Sequence, residues 1–235
     1  METNIIKNYK PKFSASIVCM NQTEIGSTIR DIENFEKNYN KTIIDSWHVD
    51  LMDGMFVPRI GLAPEIIRDI RKISDKPIEV HCMLSNVDEY LDLFAKYGAS
   101  IISFHYEGNN SILKTIGKIK ELKMSPWVVY NVHTLINPML QPYVDGVEFM
   151  SINPGVLGSP VYLDAIYTKL SIGTKFANRQ EPIYAIDGGV RWNSIDHLLE
   201  KKIEYMVAGS GVLFNADGLY NNLNKLLKIK EKYNG

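Results

Sequence analysis

Cysteine is scarce in this chain. Its 235 residues include only two cysteines, Cys19 and Cys82, and each lies within an apolar stretch. A chain of this length buries roughly 70% of its unfolded surface without disulfides, and two distant thiols do not make the framework of a small secreted domain. We therefore expect two reduced core thiols in a cytoplasmic protein.

Net charge of either sign is also nearly absent. The 26 lysines and arginines are balanced by 27 aspartates and glutamates, which leaves a formal charge of −1. A basic surface for nucleic acid or an anionic membrane is therefore not expected.

Long apolar runs and low-complexity segments are missing as well. No run approaches the roughly 18 apolar residues of a membrane span. Residues 1–12 are polar, carry three lysines and lack the apolar stretch of a signal peptide. These absences predict neither a membrane partner nor export.

Short segments rich in Ile and Val alternate with amphipathic segments along the chain. The candidate strands are 13–20, 43–52, 77–83, 101–105, 127–132, 146–152, 183–186 and 205–208. The candidate helices are 63–73, 87–97, 111–122, 162–176, 194–201 and 219–232. About eight βα units imply a parallel sheet. Their number favours a single (β/α)8 TIM barrel over an open doubly wound sheet. We predict an extension over residues 1–12 and one α/β domain over 13–235.

The segment 47–54, WHVDLMDG, reads as a strand that runs into a turn. Residues two apart share a face of a strand, so His48 and Asp50 point the same way. Burying such a pair is costly unless its members are paired or bind a metal. In a barrel, His81 and Asp187 would lie at the same end of other strands. The four side chains predict a divalent metal site, although a lone buried histidine is more often a core residue.

Other residues at the strand ends have plainer interpretations. Met52, Met83 and Met150 would usually be core residues, but beside candidate ligands they could line a pocket. For His105, hydrogen-bonded packing is favoured over orienting a ligand. Asp53 is interpreted as shaping the Asp-Gly turn.

Three glycine clusters follow the sixth, seventh and eighth candidate strands. They are NPGVLG at 153–158, DGG at 187–189 and GSG at 209–211. Loops at these places in a barrel often bind phosphate through backbone N–H groups, although glycine also serves ordinary turns. A metal with a phosphate beside it predicts a phosphorylated sugar rather than a peptide or a nucleic acid.

Several short motifs occur in a fixed order between about residues 13 and 217. They are SIVCM at 16–20, HVDLMDG at 48–54, FVP at 56–58, VHCM at 80–83, NPG at 153–155, DGG at 187–189 and AGS at 208–210. In order and spacing these motifs resemble the ribulose-phosphate 3-epimerases. The combination of His-x-Asp-x-Met-Asp-Gly with a downstream Val-His-x-Met is highly specific.

The resemblance implies a barrel of the ribulose-phosphate-binding type and an isomerase. The implied reaction is C3 epimerisation of a ketose phosphate, most simply D-ribulose 5-phosphate to D-xylulose 5-phosphate in the pentose phosphate pathway. It would proceed by two-base proton transfer through a metal-stabilised enediolate. Members of this family tend to form dimers or hexamers, so a homo-oligomer is expected.

The resemblance also implies roles for individual residues. Asp50 and Asp187 would be the acid/base groups. One divalent metal per subunit, commonly zinc with iron, manganese or cobalt as substitutes, would be held by His48, Asp50, His81 and Asp187. Substrate contacts would come from Ser16, His81, Met52, Met83 and Met150. The phosphate would be bound by Gly155, Gly158, Gly188, Gly189, Gly209 and Ser210.

The sequence departs from the family pattern mainly in two loops. Residues 155–159 read GVLGS instead of Gly-Phe-Gly-Gly-Gln, and residues 131–134 read NVHT. The metal-ligand candidates are all kept, so the identity of the sugar is more open than the reaction. Residues 19–20, Cys-Met, also resemble the related allulose-6-phosphate 3-epimerases, and this resemblance implies D-allulose 6-phosphate as the alternative substrate.

Two more distant alternatives concern other classes of protein. A decarboxylase or synthase barrel would use an Asp-x-Lys pair, whereas residues 50–52 read Asp-Leu-Met. A non-catalytic sugar-phosphate-binding barrel is supported only by the altered 155–159 loop.

Overall fold

Eight parallel strands close into a barrel in the computed structural model, which describes residues 10–156, 159–173 and 181–234. Each strand pairs with the next along the chain, and β8 pairs with β1. The strands are β1 (Lys12–Ser16), β2 (Ser46–Met52), β3 (Ile78–Met83), β4 (Ile101–His105), β5 (Ser125–Tyr130), β6 (Gly146–Met150), β7 (Ile183–Asp187) and β8 (Tyr205–Ala208). The predicted TIM barrel is confirmed, and the open sheet is excluded.

Seven α-helices occur within the described residues. They are α1 (Ile25–Tyr39), α2 (Glu65–Arg71), α3 (Leu91–Tyr97), α4 (Ile112–Glu121), α5 (Leu163–Gly173), α6 (Ile195–Glu200) and α7 (Leu219–Asn234). None of these helices is both long and apolar enough to cross a membrane. Residues 174–176, the end of the helix predicted over 162–176, lie outside the described residues.

Two connections differ from the predicted βα repeat. Helix α1 is not among the candidate helices, although Ile25, Ile29, Ile32 and Phe35 are buried at helical spacing. Between β5 and β6, residues 131–145 contain a 3-10 helix, Pro138–Tyr143, instead of an α-helix. The fifth predicted unit therefore lacks its α-helix.

The strands have an apolar outer face, whereas the inner face of β2 and β3 carries polar side chains such as His48, Asp50 and Glu79. Val49, Leu51 and Val80 belong to the main apolar cluster, which they share with helix residues such as Ile29 and Ile67. Side chains at the alternate positions of the same strands point into the barrel. The inner face is where the candidate site residues lie.

The N-terminal boundary is described in part. Strand β1 begins at Lys12, and residues 1–9 lie outside the described residues. The extension over 1–12 and the single domain over 13–235 stay predictions.

Gly146 leaves room for an aromatic side chain inside the barrel. A Cβ atom at this position would lie 2.3 Å from Cδ2 of Trp127. The Trp127 ring is itself packed edge-on against Tyr205, with ring centroids 4.7 Å apart. The indole has little space to move aside, because protein interiors are close-packed.

We predict that Gly146→Ala lowers the free energy of unfolding by about 1–3 kcal/mol through overpacking. Gly117→Ala is the matched control, because a Cβ atom there, within α4, meets nothing within 4 Å. The control should gain up to about 1 kcal/mol from helix propensity. Urea denaturation measures both variants, and equal stability of the two would contradict the packing argument.

Candidate active site

The register between β2 and β3 sets the inner face of the site. His48 is the strand neighbour of Glu79, Asp50 of His81, and Met52 of Met83. In parallel strands these inward neighbours lie side by side. The local sequence therefore builds a ladder of three polar or sulfur-containing pairs that leads towards the carboxyl end of the barrel.

The four predicted ligands lie close together, three of them on this ladder and the fourth on β7. Nε2 of His48 is 3.2 Å from Oδ1 of Asp50, and Nδ1 of His81 is 3.1 Å from the same oxygen. Oδ2 of Asp187, at the end of β7, is 3.5 Å from Nδ1 of His81. One ligand atom from each of the four residues lies within 4.8 Å of the others. The structure thus brings together residues that are far apart in sequence.

The donor set of this cluster suits a divalent cation. Two imidazole nitrogens and two carboxylate oxygens are ligands that zinc and similar metals accept. Burial disfavours a charged His48, but Glu79 and Asp50 outweigh it and raise the pKa of His48 well above its ordinary value. The surroundings of His48 therefore favour positive charge. The residues present fit the metal that the sequence predicts.

The two aspartates have opposite electrostatic environments. Burial alone would raise the pKa of Asp50, yet His48 and His81 hold it well below its ordinary value. Burial raises the pKa of Asp187, and the Asp50 carboxylate adds to the rise. Two carboxylates whose pKa values are pushed apart are suited to acid and base roles.

His105 lies behind His81 rather than in the ligand cluster. Nε2 of His81 is 2.9 Å from Nε2 of His105, and Nδ1 of His105 is 3.4 Å from Oε2 of Glu107. Burial lowers the pKa of His105 to about 4, helped by its neighbour His81. A neutral His105 can accept the Nε2 proton of His81, which leaves Nδ1 of His81 free to face the cluster. This contact is the hydrogen-bonded packing that the sequence analysis favours for His105.

A cavity of about 320 Å³ opens above the two aspartates. Its walls include predicted site residues from six strands and their loops: Ser16, Asp50, Met52, Met83, Met150, Gly155, Asp187, Gly188, Gly189, Gly209 and Ser210. His48 and His81 are fully buried and are not among the lining residues. Gly158, also predicted to bind phosphate, lies outside the described residues.

The DGG turn after β7 requires glycine at both positions. Gly188 and Gly189 have φ values of +83° and +63°. Added Cβ atoms would lie 2.4 Å from Ile152 and 2.5 Å from Val161. The backbone of this turn therefore approaches the neighbouring loop more closely than a side chain would allow.

Asp53 shapes the loop after β2. Its Oδ1 accepts backbone hydrogen bonds from Met55 and Phe56, each at 2.8 Å. Its Oδ2 accepts two from the backbone and hydroxyl of Ser85, each at 2.7 Å. Burial alone would raise the pKa of Asp53, but the bonds to Ser85, Phe56 and Met55 lower it to about 2. The side chain ties the loops after β2 and β3 together, which agrees with its interpretation as a turn residue.

Several residues in or beside the cavity are not among the predicted site residues. Arg59 and Arg191 line the cavity, and neither makes an ion pair within the part of the chain that the structure describes. Cys19 also lines it and is only partly buried, so the expected core thiol is a cavity residue. Glu79 could have been identified from the sequence, because it lies two residues before His81 and therefore shares its face of the predicted strand.

Most of the chain matches a known protein family. A model of the ribulose-phosphate 3 epimerase family matches residues 12–213. The chain belongs to the ribulose-phosphate 3 epimerase family. The predicted family, and with it the expected class of isomerase, is confirmed.

Relatives in this epimerase family cover most of the chain. The ribulose-phosphate 3-epimerase of Bacillus subtilis is 32% identical over 211 residues, which cover 88% of this chain and 94% of that protein. The ribulose-phosphate 3-epimerase of Aquifex aeolicus is 36% identical over 189 residues, which cover 79% of this chain and 84% of that protein.

A solved structure with low identity shows how widely the fold is shared. The chain is similar to 3-hexulose-6-phosphate synthase from Salmonella typhimurium, with a TM-score of 0.69 and 16% identity over 94% of this chain and 99% of that one. At this identity the likeness shows the barrel alone. Membership of the epimerase family, not this likeness, favours the epimerase over the synthase alternative.

Proposed function

We propose that this chain catalyses C3 epimerisation of a ketose phosphate, with D-ribulose 5-phosphate and D-xylulose 5-phosphate as its substrates. The observation that carries the proposal is the pair of carboxylates, Asp50 from β2 and Asp187 from β7, at the cavity floor. Family membership supplies the reaction class. Both named relatives are ribulose-phosphate 3-epimerases.

The chemistry needs two carboxylates because the proton must leave one face of C3 and return on the other. The carbon lies next to a ketone, so its proton is acidic enough for a carboxylate to remove. Asp50 and Asp187 belong to strands that are not neighbours in the barrel. A substrate between them would meet one carboxylate on each face. Each positioned acid/base group contributes roughly 10²–10⁴-fold to the rate.

His48, Asp50, His81 and Asp187 are proposed to hold one divalent metal, with zinc as the first choice and iron, manganese or cobalt as substitutes. When bound, such a metal supplies positive charge that stabilises the negative charge developing on the sugar oxygens. Among these residues, Asp50 and Asp187 also exchange the C3 proton. The side chains of Met52, Met83 and Met150 exclude water around the carbon, and the Ser16 hydroxyl lies 3.5 Å from Oδ2 of Asp50.

The glycine turns are proposed to receive the phosphate. Gly155, Gly188, Gly189, Gly209 and Ser210 line one cavity. Arg59 and Arg191 line it as well and supply the positive charge that a phosphate dianion attracts. The loop that carries Arg59 packs closely against Gly155. A Cβ atom on Gly155 would lie 2.8 Å from Val57, two residues before Arg59.

We also propose that the chain forms a homo-oligomer, either a dimer or a hexamer, and that it is located in the cytoplasm. D-allulose 6-phosphate is the alternative substrate.

The substrate is tested by parallel assays of the purified, zinc-loaded protein. We expect a higher kcat/KM on D-ribulose 5-phosphate than on D-allulose 6-phosphate, and a large loss on D-ribulose, which lacks the phosphate. A much higher value on the hexulose phosphate would move the proposal to the alternative substrate. No exchange of the C3 proton with solvent deuterium in any ketose phosphate would favour the non-catalytic sugar-binding barrel.

Asp187→Asn is predicted to preserve the fold and lower kcat by at least about 10²-fold, because one face of C3 then lacks its acid/base group. Asp145→Asn is the control, since Asp145 accepts a hydrogen bond from Ser125 at the opposite end of the barrel. Steady-state rates at equal zinc content, with circular dichroism for the fold, compare the two variants. Near-normal turnover of Asp187→Asn would refute the two-carboxylate mechanism.

Removal of metal by a strong chelator is predicted to inactivate the protein, and added zinc is predicted to restore it. Without the metal, the site would lose the positive charge that stabilises the negative charge developing on the sugar oxygens. Elemental analysis beside the activity assay provides the measurement. Full activity of protein shown to be free of metal would contradict the proposed metal site.

A further inference from the structure

The two ring nitrogens of His48 face two different carboxylates. Nε2 points into the ligand cluster, 3.2 Å from Oδ1 of Asp50. Nδ1 points away from it and lies 3.1 Å from Oε2 of Glu79. The side chains of His48 and Glu79 are both fully buried, so water does not compete for this contact.

We propose that Glu79 is a positioning residue, which orients His48 and keeps its Nδ1 protonated so that Nε2 offers its lone pair to the metal. This inference rests on the proposed metal site. It deepens that proposal by naming a residue that is outside the ligand set and that determines how well the set binds. Carboxylates commonly receive the second N–H of a ligating histidine, and their loss weakens metal binding.

The Glu79 carboxylate is itself held in place from other strands. The hydroxyl of Tyr205, on β8, donates to Oε2 at 2.9 Å. The hydroxyl of Ser103, on β4, donates to Oε1 at 3.0 Å. With these two bonds and its own strand fixed, Glu79 has little freedom to turn away from His48.

The contact follows from the fold rather than from a chance rotamer. His48 and Glu79 are direct neighbours in the register of β2 and β3, and both face inward. The next inward pair on the same strands is Asp50 and His81, which are proposed ligands. The strand pairing that brings the proposed ligands together therefore also places the Glu79 carboxylate beside Nδ1 of His48.

Glu148 offers a competing explanation for the same group of residues. His48, Glu79 and Glu148 also place one potential ligand atom each within 4.8 Å of the others. A second cation there would make Glu79 a ligand instead of a positioning residue. Glu79 already accepts hydrogen bonds at both oxygens, which favours the positioning role. The two explanations differ in the number of metal ions bound.

The test measures zinc affinity and stoichiometry, without substrate, in the full chain. Competition with a chromophoric chelator should give one zinc per wild-type chain. Glu79→Gln should bind zinc about 10–100-fold more weakly. Glu36→Gln is the matched control, because it makes the same change at another buried glutamate, on α1, whose hydrogen bonds go to the backbone of Ile43 and Ile44. Its zinc affinity should be little changed, and thermal unfolding of the metal-free variants reports any general loss of structure.

Glu79→Asp provides a second variant, which keeps the charge but withdraws the carboxylate from His48. It should also bind zinc more weakly. In the zinc-loaded wild type, the Nδ1 proton of His48 should be protected from exchange in NMR spectra, and Glu79→Asp should lose this protection. A merely structural role would not change this proton selectively.

Three results would overturn the inference. They are wild-type zinc affinity in both Glu79 variants, an equal loss of affinity in Glu36→Gln, or two zinc ions per wild-type chain. The measurements do not depend on turnover. A protein that binds zinc as predicted but epimerises no sugar would contradict the proposed function while leaving the role of Glu79 intact.

Discussion

The parallel register of β2 and β3 aligns the inward side chains on which the site depends. It places His48 beside Glu79, Asp50 beside His81, and Met52 beside Met83. Because side chains alternate along a strand, a slip of one residue would turn one strand's whole set to the outer face. The outer positions are held by burial of Val49, Leu51 and Val80 in the apolar cluster against the helices. Hydrophobic packing outside the barrel thus fixes the polar geometry inside it.

Closure of the barrel then brings in the second carboxylate. Asp187 ends β7, and its Oδ2 lies 3.5 Å from Nδ1 of His81 on β3. The two residues meet because the sheet closes, which leaves only β8 and β1 between β7 and β2. Grouping four acids, Asp50, Glu79, Glu148 and Asp187, in a buried interior is costly unless positive charge or protons compensate. Glu79 and Asp50 raise the pKa of His48 despite its burial, and burial beside Glu79 raises the pKa of Glu148. Both shifts favour the protonated form and so reduce the negative charge of the group. A bound cation would compensate this negative charge directly.

Fold and function are separable in this protein. The barrel is shared with a hexulose phosphate synthase at 16% identity, so the fold alone does not select a reaction. The family match gives the class of reaction, and loops after the strands line the cavity. Arg59 and Arg191, which line that cavity, lie in such loops, where sequence can change without disturbing the strand register.

The sequence by itself determined the barrel, because alternating strand and helix patterns of this length fit few other folds. It also indicated His48, Asp50, His81 and Asp187 as site residues, because they lie at the ends of predicted strands. The candidate helices did not include α1 despite the buried Ile25 and Ile29, and the expected repeat of about eight βα units did not anticipate the 3-10 helix between β5 and β6. Only the tertiary structure decided which side chains meet: Glu79 with His48, His105 with His81, and the arginines with the glycine turns around one cavity. The reason is physical. Periodicity along one strand tells which face a residue occupies, whereas its neighbours across the barrel depend on register and closure, which no local pattern encodes.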